Sequence, residues 1–466
     1  MDRLMVSVSG VRGIVGMALT PQVACDFGCA FGTMLGADAA AGSEDGVTVV
    51  CGRDTRSSGQ GIRNAVAAGL LATGVDVIDL GVVSTPGVGL MARELGADGG
   101  FVVTASHNPV QYNGIKFLQA GGTALTAEQV GRLEAIRRSR GFALSGATQA
   151  GSESRNGKTH GRHVDAVCKL VDTLGISSAR FKVVLDSING AGSVVTPMLL
   201  GRLGCEVAHL NAEPTGLFAH QPEPTAEHLA DLCRQVRKHR AAVGFAQDAD
   251  ADRLAIVDER GEYIGEEYTL ALATAFVLRH RKGKVVTNLM TSRMIDDIAA
   301  AAGCQVVRTP TGEANVVAAM QDGQCIFGGE GGGGVIEPRV VFIRDSLVGI
   351  AYVLQYMAET HKTVSELVAE IPRYVIVKTK LPCPAGAAGR VSSAVRESFA
   401  SRAGAEFNDA DGLRVDLPVG WVCVRASNTE PVIRIFAEAG CSNEAEALID
   451  QVRRIAGTVI GDDAEA

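Results

Sequence analysis

The chain is poor in the features that mark secreted, membrane-bound or nucleic-acid-binding proteins. Aromatic residues make up 5% of its 466 residues, with a single tryptophan. Eleven cysteines lie scattered from Cys25 to Cys441 without a Cys-x-x-Cys pair, so neither a zinc knuckle nor a disulfide framework is indicated. They read as reduced thiols. No uncharged apolar run approaches the ~18 residues of a membrane span, and the N-terminal MDRLMVSVSGVRG lacks the apolar core of a signal peptide. The expectation is a cytoplasmic protein with no membrane partner. Basic residues are outnumbered, 44 against 52 acids, for a formal charge of -8. That balance disfavours a nucleic-acid partner but leaves room for a local basic pocket.

What is present is length and apolar content. With 46% hydrophobic residues, the chain has room for about three or four domains with a sizeable core. Short β-branched runs end in glycine or polar loops and are followed by helical spacing: VTVVCGRDTR, FVVTASHNP, KVVLDSINGAG, VGFAQDADADR and KVVTNLMTS. Strand, loop and helix in alternation predict α/β units, whose ligands gather at the carboxyl ends of strands. Apolar spacing predicts helices over about 60–74, 127–138, 193–203, 226–240, 266–280, 291–302, 349–360 and 388–401, and a final helix near the C-terminus. The polar stretch 146–161 reads as a linker, with further breaks near Asp258–Glu262 and Arg373–Pro384. The expected units are 1–153, 154–258, 259–372 and 373–466, three α/β and one smaller α+β.

Four clusters could carry chemistry. QDADADRL places Asp248, Asp250 and Asp252 at alternate positions, which in an extended backbone puts three carboxylates on one side. Such a set repels itself unless a hard divalent cation takes its oxygens. A calcium loop is the rival, with Glu259 twelfth, but Arg253 stands where that loop needs glycine and LAIV continues as a buried strand. Magnesium at a strand end fits better, against the plain alternative of a solvated acidic turn.

The second cluster is TASHNPVQYNGIKF, directly after an apolar run. Ser106 beside His107 invites a hydrolase assignment, but adjacent side chains on an extended segment diverge, and no G-x-S-x-G elbow is present. A serine at such a strand end suits a phosphoryl carrier, which needs a metal to neutralise charge and a base to move a proton. Lys116 is the candidate base, provided burial or neighbouring cations lower its pKa. The alternative is a capped turn in which Ser and Asn are structural.

In VRASNTEPVIRIF, Arg425, Ser427, Asn428, Thr429 and Arg434 bracket a turn at Glu430–Pro431. They form either a phosphate-sized anion nest or a hairpin with solvated arginines. GGEGGGGVI sets Glu330 among bare backbone. It lacks the Lys-Ser/Thr of a P-loop, and the strand-like flanks QCIF and VIEP argue against a slack tether. Glycines let such a loop lie against a ligand while Glu330 accepts hydrogen bonds from hydroxyls.

In this order the four clusters resemble the α-D-phosphohexomutase family over nearly the whole chain; SGVRGIVG, GRDTR and STPG are also similar to its motifs. The resemblance implies an α/β protein, three related mixed α/β domains around a cleft plus a C-terminal α+β domain. It implies that Ser106 is the modified, phosphorylated residue and that it passes its phosphoryl group to a hexose phosphate. A sugar 1,6-bisphosphate is then both intermediate and activator. Mg²⁺ would be held by Asp248, Asp250, Asp252 and an oxygen on Ser106. Arg12 and Lys116 would flank the transfer, with Arg253 following the metal ligands. Arg425, Ser427, Asn428, Thr429 and Arg434 would grip the distal phosphate. Glu330, Gly332 and Thr311 would face the sugar, with Glu313 adding contacts.

One departure stands out. Many members carry a Glu-x-Ser-Gly-His sugar loop, where this chain has Gly332 and Gly334. A histidine proton carrier cannot be transferred to that loop, which leaves His107 and His220 as candidates. The glycine-rich version is similar to archaeal-type phosphoglucosamine and mixed phosphohexose mutases. The expected enzyme is therefore an isomerase-class phosphotransferase acting on glucosamine phosphate, with mannose or glucose phosphate as the alternative. A metal-dependent sugar phosphatase and a non-catalytic sugar-phosphate-binding protein are the rivals from other classes. A monomer or homodimer is expected.

Overall fold

Four sheets form along the chain, seen in a computed structural model that describes residues 4–39, 46–323, 325–384, 386–427 and 431–464. The first contains β1 (Met5–Ser7), β2 (Gly10–Ile14), β3 (Thr48–Arg53), β4 (Asp76–Val82), β5 (Gly99–Val103), β6 (Tyr112–Gln119) and β7 (Glu153–Arg155), in the order β1-β2-β6-β5-β3-β4-β7. The second contains β8 (Lys182–Asp186), β9 (Glu206–Leu210), β10 (Val243–Gln247) and β11 (Leu254–Val257), ordered β11-β10-β8-β9. The third contains β12 (Lys284–Asn288), β13 (Val306–Thr309), β14 (Cys325–Glu330) and β15 (Gly334–Ile336), ordered β13-β12-β14-β15. The fourth is fully antiparallel: β16 (Val375–Pro382), β17 (Glu406–Asn408), β18 (Leu413–Leu417), β19 (Gly420–Ala426) and β20 (Val432–Ala439), ordered β16-β20-β19-β18-β17.

The first three sheets repeat one plan. β3 to β6, β8 to β11 and β12 to β15 each place three parallel strands side by side, with the fourth antiparallel to the third. Four-residue motifs alone do not reveal this, because the repeat lies in connectivity. It follows that the hairpins β5–β6, β10–β11 and β14–β15 occupy equivalent places. They hold Ser106, the three aspartates and the glycine-rich turn.

Two expectations change at the first boundary. The stretch 146–161 is not a plain linker, since β7 pairs in parallel with the edge strand β4. That strand crosses the expected break after residue 153, so the first sheet continues to Arg155.

Parallel strands need both faces covered, and the buried residues of β5, β8, β10 and β12 meet that need with helices above and below. One apolar cluster runs through all three sheets, from Val50 and Val102 through Leu185 and Phe245 to Phe327 and Leu347. Where the three units meet, a buried polar chain ties them together. His163 Nε2 lies 2.6 Å from Asp345 Oδ2, and His163 Nδ1 lies 3.3 Å from Ser84 Oγ. The C-terminal sheet has a separate core under helices Ala387–Ala400 and Ser442–Ala464, built from Val391, Phe399, Val422, Ile435 and Val452. Among the described residues, no helix is long and apolar enough to cross a membrane.

Candidate active site

After β5 the backbone turns at Ser106, whose φ of 49° is left-handed. For a residue with a side chain that conformation costs about 1–2 kcal/mol, and the surroundings must hold it. Arg56 does so. Its buried guanidinium donates to the carbonyl oxygens of Ser106 (2.8 Å), Asn108 (2.7 Å), Pro109 (3.0 Å) and Tyr112 (3.2 Å), and to Asp54 Oδ2 (3.1 Å). Thr104 Oγ1 accepts the Ser106 N–H at 2.9 Å and donates to Asp54 at 2.7 Å. GRDTR is thus the brace of the serine loop. Because the loop turns, Ser106 and His107 do not diverge as an extended segment requires: Ser106 Oγ lies 3.3 Å from His107 Nδ1. Burial, with Arg253 and Arg12 beside it, pushes His107 down to about 2, so its imidazole is neutral.

Ser106 Oγ donates to Asp248 Oδ2 at 2.5 Å. Asp248, Asp250 and Asp252 are fully buried, with carboxylate oxygens within 4.8 Å of one another. Strand alternation is not what gathers them. Gln247 ends β10, Ala251 takes a left-handed φ of 55°, and Asp248 Oδ1 accepts the N–H groups of Asp252 and Arg253 at 3.1 Å each. The loop is a tight turn. Asp250 Oδ1 and Asp252 Oδ1 are buried without a hydrogen-bond partner, a costly state for charged oxygens. Three convergent hard donors, two with an orphaned oxygen, fit a divalent cation such as Mg²⁺. Thr85 adds a 2.6 Å hydrogen bond to Asp250 Oδ2 from the first turn of helix Thr85–Glu94. Ser84 caps that helix by accepting the Gly87 N–H, which gives STPG its place.

Cations surround the acids. Lys116 Nζ donates to Asp250 Oδ2 (2.7 Å) and Asp252 Oδ2 (2.9 Å). Burial alone would lower its pKa, but Asp250 and Asp252 outweigh it and raise the lysine above its ordinary value. In this arrangement Lys116 is paired with two aspartates, and the lowered pKa that a base requires is not seen. Arg12 donates to Asn108 Oδ1 at 2.9 Å and faces the aspartates. Arg253 has a buried Nε without a hydrogen-bond partner, 3.9 Å from Asp252 Oδ1. Burial raises Asp248 well above the usual carboxyl range, with Asp252 and Asp250 adding to it. At Asp252 burial pushes the same way, but Arg344, Lys116 and Arg253 hold it well below that range.

The glycine-rich hairpin meets this corner from the third sheet. A three-residue turn needs a left-handed position, supplied by Gly333 at φ +81°. Gly333 O accepts the Leu254 N–H at 2.9 Å, which docks the turn onto the end of the aspartate loop, and Gly332 lies next to the Arg253 guanidinium. Glu330 is 8% exposed and held by three donors: Asn288 Nδ2 (2.8 Å), Gly312 N (3.1 Å) and Arg344 Nη1 (2.9 Å). Thr311 brings a buried, unpartnered hydroxyl to the same corner, and its N–H donates to Asp411 Oδ2 of the C-terminal unit at 3.0 Å.

Asp411 also pairs with Arg425 at 3.3 Å. Arg425 on β19 stands directly opposite Arg434 on β20, and Arg434 stands opposite Lys380 on β16. Like charges across a ladder repel, and an anion seated between them relieves the repulsion. Ser427 lies at the end of β19, its N–H donating to Val432 O. Asn428 and Thr429 lie outside the described residues. His220 pairs with Asp186 at 3.1 Å, an arrangement belonging to the second sheet rather than to the Ser106 cluster.

Sequence reasoning missed Arg344 and Arg56 as site residues. The signal for Arg56 was its place in a polar loop after a strand. For Arg344 it was a lone cation between VVFI and a helix-capping Asp345.

Comparisons with known proteins agree with this geometry. Four family profiles match in chain order: phosphoglucomutase/phosphomannomutase alpha/beta/alpha domain I over residues 3–143, domain II over 161–261, domain III over 265–374 and the C-terminal domain over 379–455. A phosphoglucomutase/phosphomannomutase of Thermococcus kodakarensis is 40% identical over 443 residues, 95% of this chain and 96% of that protein. A probable phosphoglucosamine mutase of Methanopyrus kandleri is 39% identical over 452 residues, 95% of each. The crystal structure of a phosphoglucomutase/phosphomannomutase family protein from Burkholderia thailandensis superimposes with a TM-score of 0.85 at 28% identity, covering 98% of both chains. With all four of its domains matched in order and its serine, aspartate and glutamate loops gathered in one cleft, the chain belongs to the phosphoglucomutase/phosphomannomutase family.

Proposed function

We propose that the protein moves a phosphoryl group between O6 and O1 of a hexose phosphate with Ser106 as carrier, and that it favours conversion of glucosamine 6-phosphate to glucosamine 1-phosphate. The observation that supports this most is the 2.5 Å contact between Ser106 Oγ and Asp248, next to two orphaned aspartate oxygens and Lys116. A hydroxyl in so charged a corner suits phosphoryl transfer, in which positioning and charge neutralisation dominate.

In the first half-reaction the P–O bond to phosphorylated Ser106 breaks and a new one forms to the free sugar hydroxyl. The sugar gives up its hydroxyl proton, the serine oxygen regains one, and a sugar 1,6-bisphosphate results. The second half returns the other phosphate to Ser106, and a bisphosphate supplied from outside primes the cycle. Mg²⁺ bound by Asp248, Asp250 and Asp252 would neutralise charge on the migrating group. Lys116, Arg12 and Arg253 add positive charge around it. His107, neutral and 3.3 Å away, orients the Ser106 hydroxyl. Arg425 and Arg434, with Ser427, Asn428 and Thr429, hold the phosphate that is not reacting.

The glucosamine preference rests on the carboxylates. Glu330 and Glu313 share a single guanidinium, Arg344, which leaves negative charge to meet an ammonium group on the sugar. The name of the Methanopyrus relative points the same way, while that of the Thermococcus relative supports glucose or mannose phosphate as the second reading. The test is transfer of ³²P from labelled hexose 1,6-bisphosphate. Label should appear on wild-type protein and in isomerised product, and Ser106→Ala should abolish both. Release of inorganic phosphate without isomer would identify a phosphatase, and equal rates on glucosamine, mannose and glucose 6-phosphates would remove the sugar preference.

A further inference from the structure

The glycine at 334 does not leave a gap. A Cβ placed there would lie 2.2 Å from Arg344 Cδ, 2.9 Å from its Cγ and 3.3 Å from its Nε. The stem of Arg344 therefore crosses the space that any side chain at 334 would need. Beyond it, the guanidinium joins three loops. Nη1 donates to Glu330 Oε2 at 2.9 Å, Nη2 donates to Asp252 Oδ2 at 2.9 Å, and Nε lies 2.8 Å from Glu313 Oε2.

The residue is anchored on both sides. Its own N–H donates to Glu313 Oε2 at 3.2 Å. The next residue, Asp345, donates its N–H to Val335 O at 2.7 Å and meets His163 through its side chain. With the backbone fixed and the head hydrogen-bonded to two carboxylates and ion-paired with a third, the side chain has little freedom. A planar fork can hold two carboxylates at a set separation, which an ammonium cannot do.

We propose that Arg344 is a positioning residue that stands in for a side chain of the glycine-rich turn, admitted by the bare backbone at Gly334. It sets the distance between Glu330, which faces the sugar, and Asp252 of the cation-binding loop. The two positions form a matched pair, and neither tolerates change alone. This deepens the proposed function and rests on it for the identity of the sugar phosphate.

The experiment is a double-mutant cycle of wild type, Gly334→Ala, Arg344→Ala and the pair. It is read as KM and kcat for glucosamine 6-phosphate, and as calorimetric affinity for the same sugar phosphate in Mg²⁺. Arg344→Ala should raise KM and weaken binding about thirtyfold or more, with a smaller fall in kcat, because Glu330 loses its fixed partner. Gly334→Ala should cost about tenfold in wild type but less than about twofold once Arg344 is alanine, because the collision has gone. Added methylguanidinium should restore part of the binding to Arg344→Ala. The ratio of kcat/KM between glucosamine and glucose 6-phosphates should rise in the same variant, because Glu330 and Glu313 lose the cation they share, which a merely structural role would not produce.

Additive costs at the two positions, or unchanged KM and affinity in Arg344→Ala, would overturn the inference. Should that variant fail to fold, Arg344→Lys carries the test: it keeps charge and stem, and a wild-type KM and affinity there would count equally against the fork. Failure of the mutase reading looks different, because wild type itself would then isomerise none of the hexose phosphates. The calorimetric cycle would still judge the pairing.

Discussion

The three α/β units and the C-terminal unit meet the cleft in different ways. The first three sheets share a continuous apolar core beside their polar links, and Val88, Leu199, Ile256, Leu270 and Leu347 belong to one cluster that no sheet boundary interrupts. The C-terminal unit keeps its core to itself and joins the body through polar groups. Arg293 Nη2 donates to Asp416 Oδ1, Leu417 O and Gly420 O, and Arg293 N–H donates to Glu438. Arg414 donates to Leu289 O, Tyr374 to Asp297 and Lys378 to Glu266. A cavity of about 680 Å³ lies in this seam, lined by Glu267, Glu438, Tyr268 and Lys378 among others. Apolar burial must be given up as a whole, whereas hydrogen bonds can be exchanged with water one at a time. Ser106, the aspartate loop and the glycine-rich turn therefore sit in one welded body, and the arginines proposed to hold the distal phosphate sit on the unit joined to it through polar groups.

Four measurements can break or sharpen this contrast. The largest effect should come from the welded body's chemistry: Asp248→Asn should lower kcat about 10³-fold and abolish calorimetric binding of Mg²⁺. Its melting temperature should hold or rise, since one of three crowded carboxylates has lost its charge. Next, Phe245→Ala should destabilise the shared core by about 3–5 kcal/mol. The lone tryptophan, Trp421, is buried in the C-terminal sheet, so its fluorescence transition should stay in place while the main calorimetric transition falls. Arg293→Ala should do the reverse, loosening the seam by about 1–3 kcal/mol. It should shift the Trp421 transition and speed proteolysis near residue 373, and leave the main transition unmoved. A single transition shifted equally by both substitutions would contradict the division.

The last effect is confined to one side of the pH range. Burial pushes Glu267 up to about 8, only partly offset by the Ser292 N–H it accepts. A carboxyl whose folded pKa exceeds its unfolded value favours the folded state at low pH, and that contribution is lost as pH rises from about 4.5 through 8. Glu266, Glu438 and Lys378 share its surroundings. Glu267→Gln should therefore flatten the fall in melting temperature between pH 5 and pH 8 while leaving the pH 5 value nearly unchanged. An identical slope in wild type and variant would remove Glu267 as its source.

Legibility from sequence followed the range of the interaction. Local periodicity located helices such as Gly59–Ala72, Ala127–Ser139 and Glu267–His280 to within a few residues. Helix Pro21–Asp38 was missed because its apolar residues do not form one stripe: it is buried around much of its girth, including Gly28 and Gly32. The aspartate loop was legible because repeated carboxylates have few other uses, yet its geometry was misread, since a left-handed Ala251 cannot be seen in the motif. Ser106 and His107 were misjudged for the same reason. Lys116 was identified as a site residue, but its ion pairs with two aspartates more than 130 residues away cannot be seen in its own motif. Arg56 and Arg344 act through partners distant in sequence, which spacing cannot reveal.

The three equivalent hairpins have a consequence for how such a protein can diverge. Each reagent occupies its own copy of one structural address, braced by its own sheet, so a length change in β14–β15 need not disturb the turn at β5–β6. Sugar choice can then drift while the phosphoryl chemistry stays constant, much as a tool keeps its handle and changes its blade. A limit on that drift is Arg344, which reaches from one address into another.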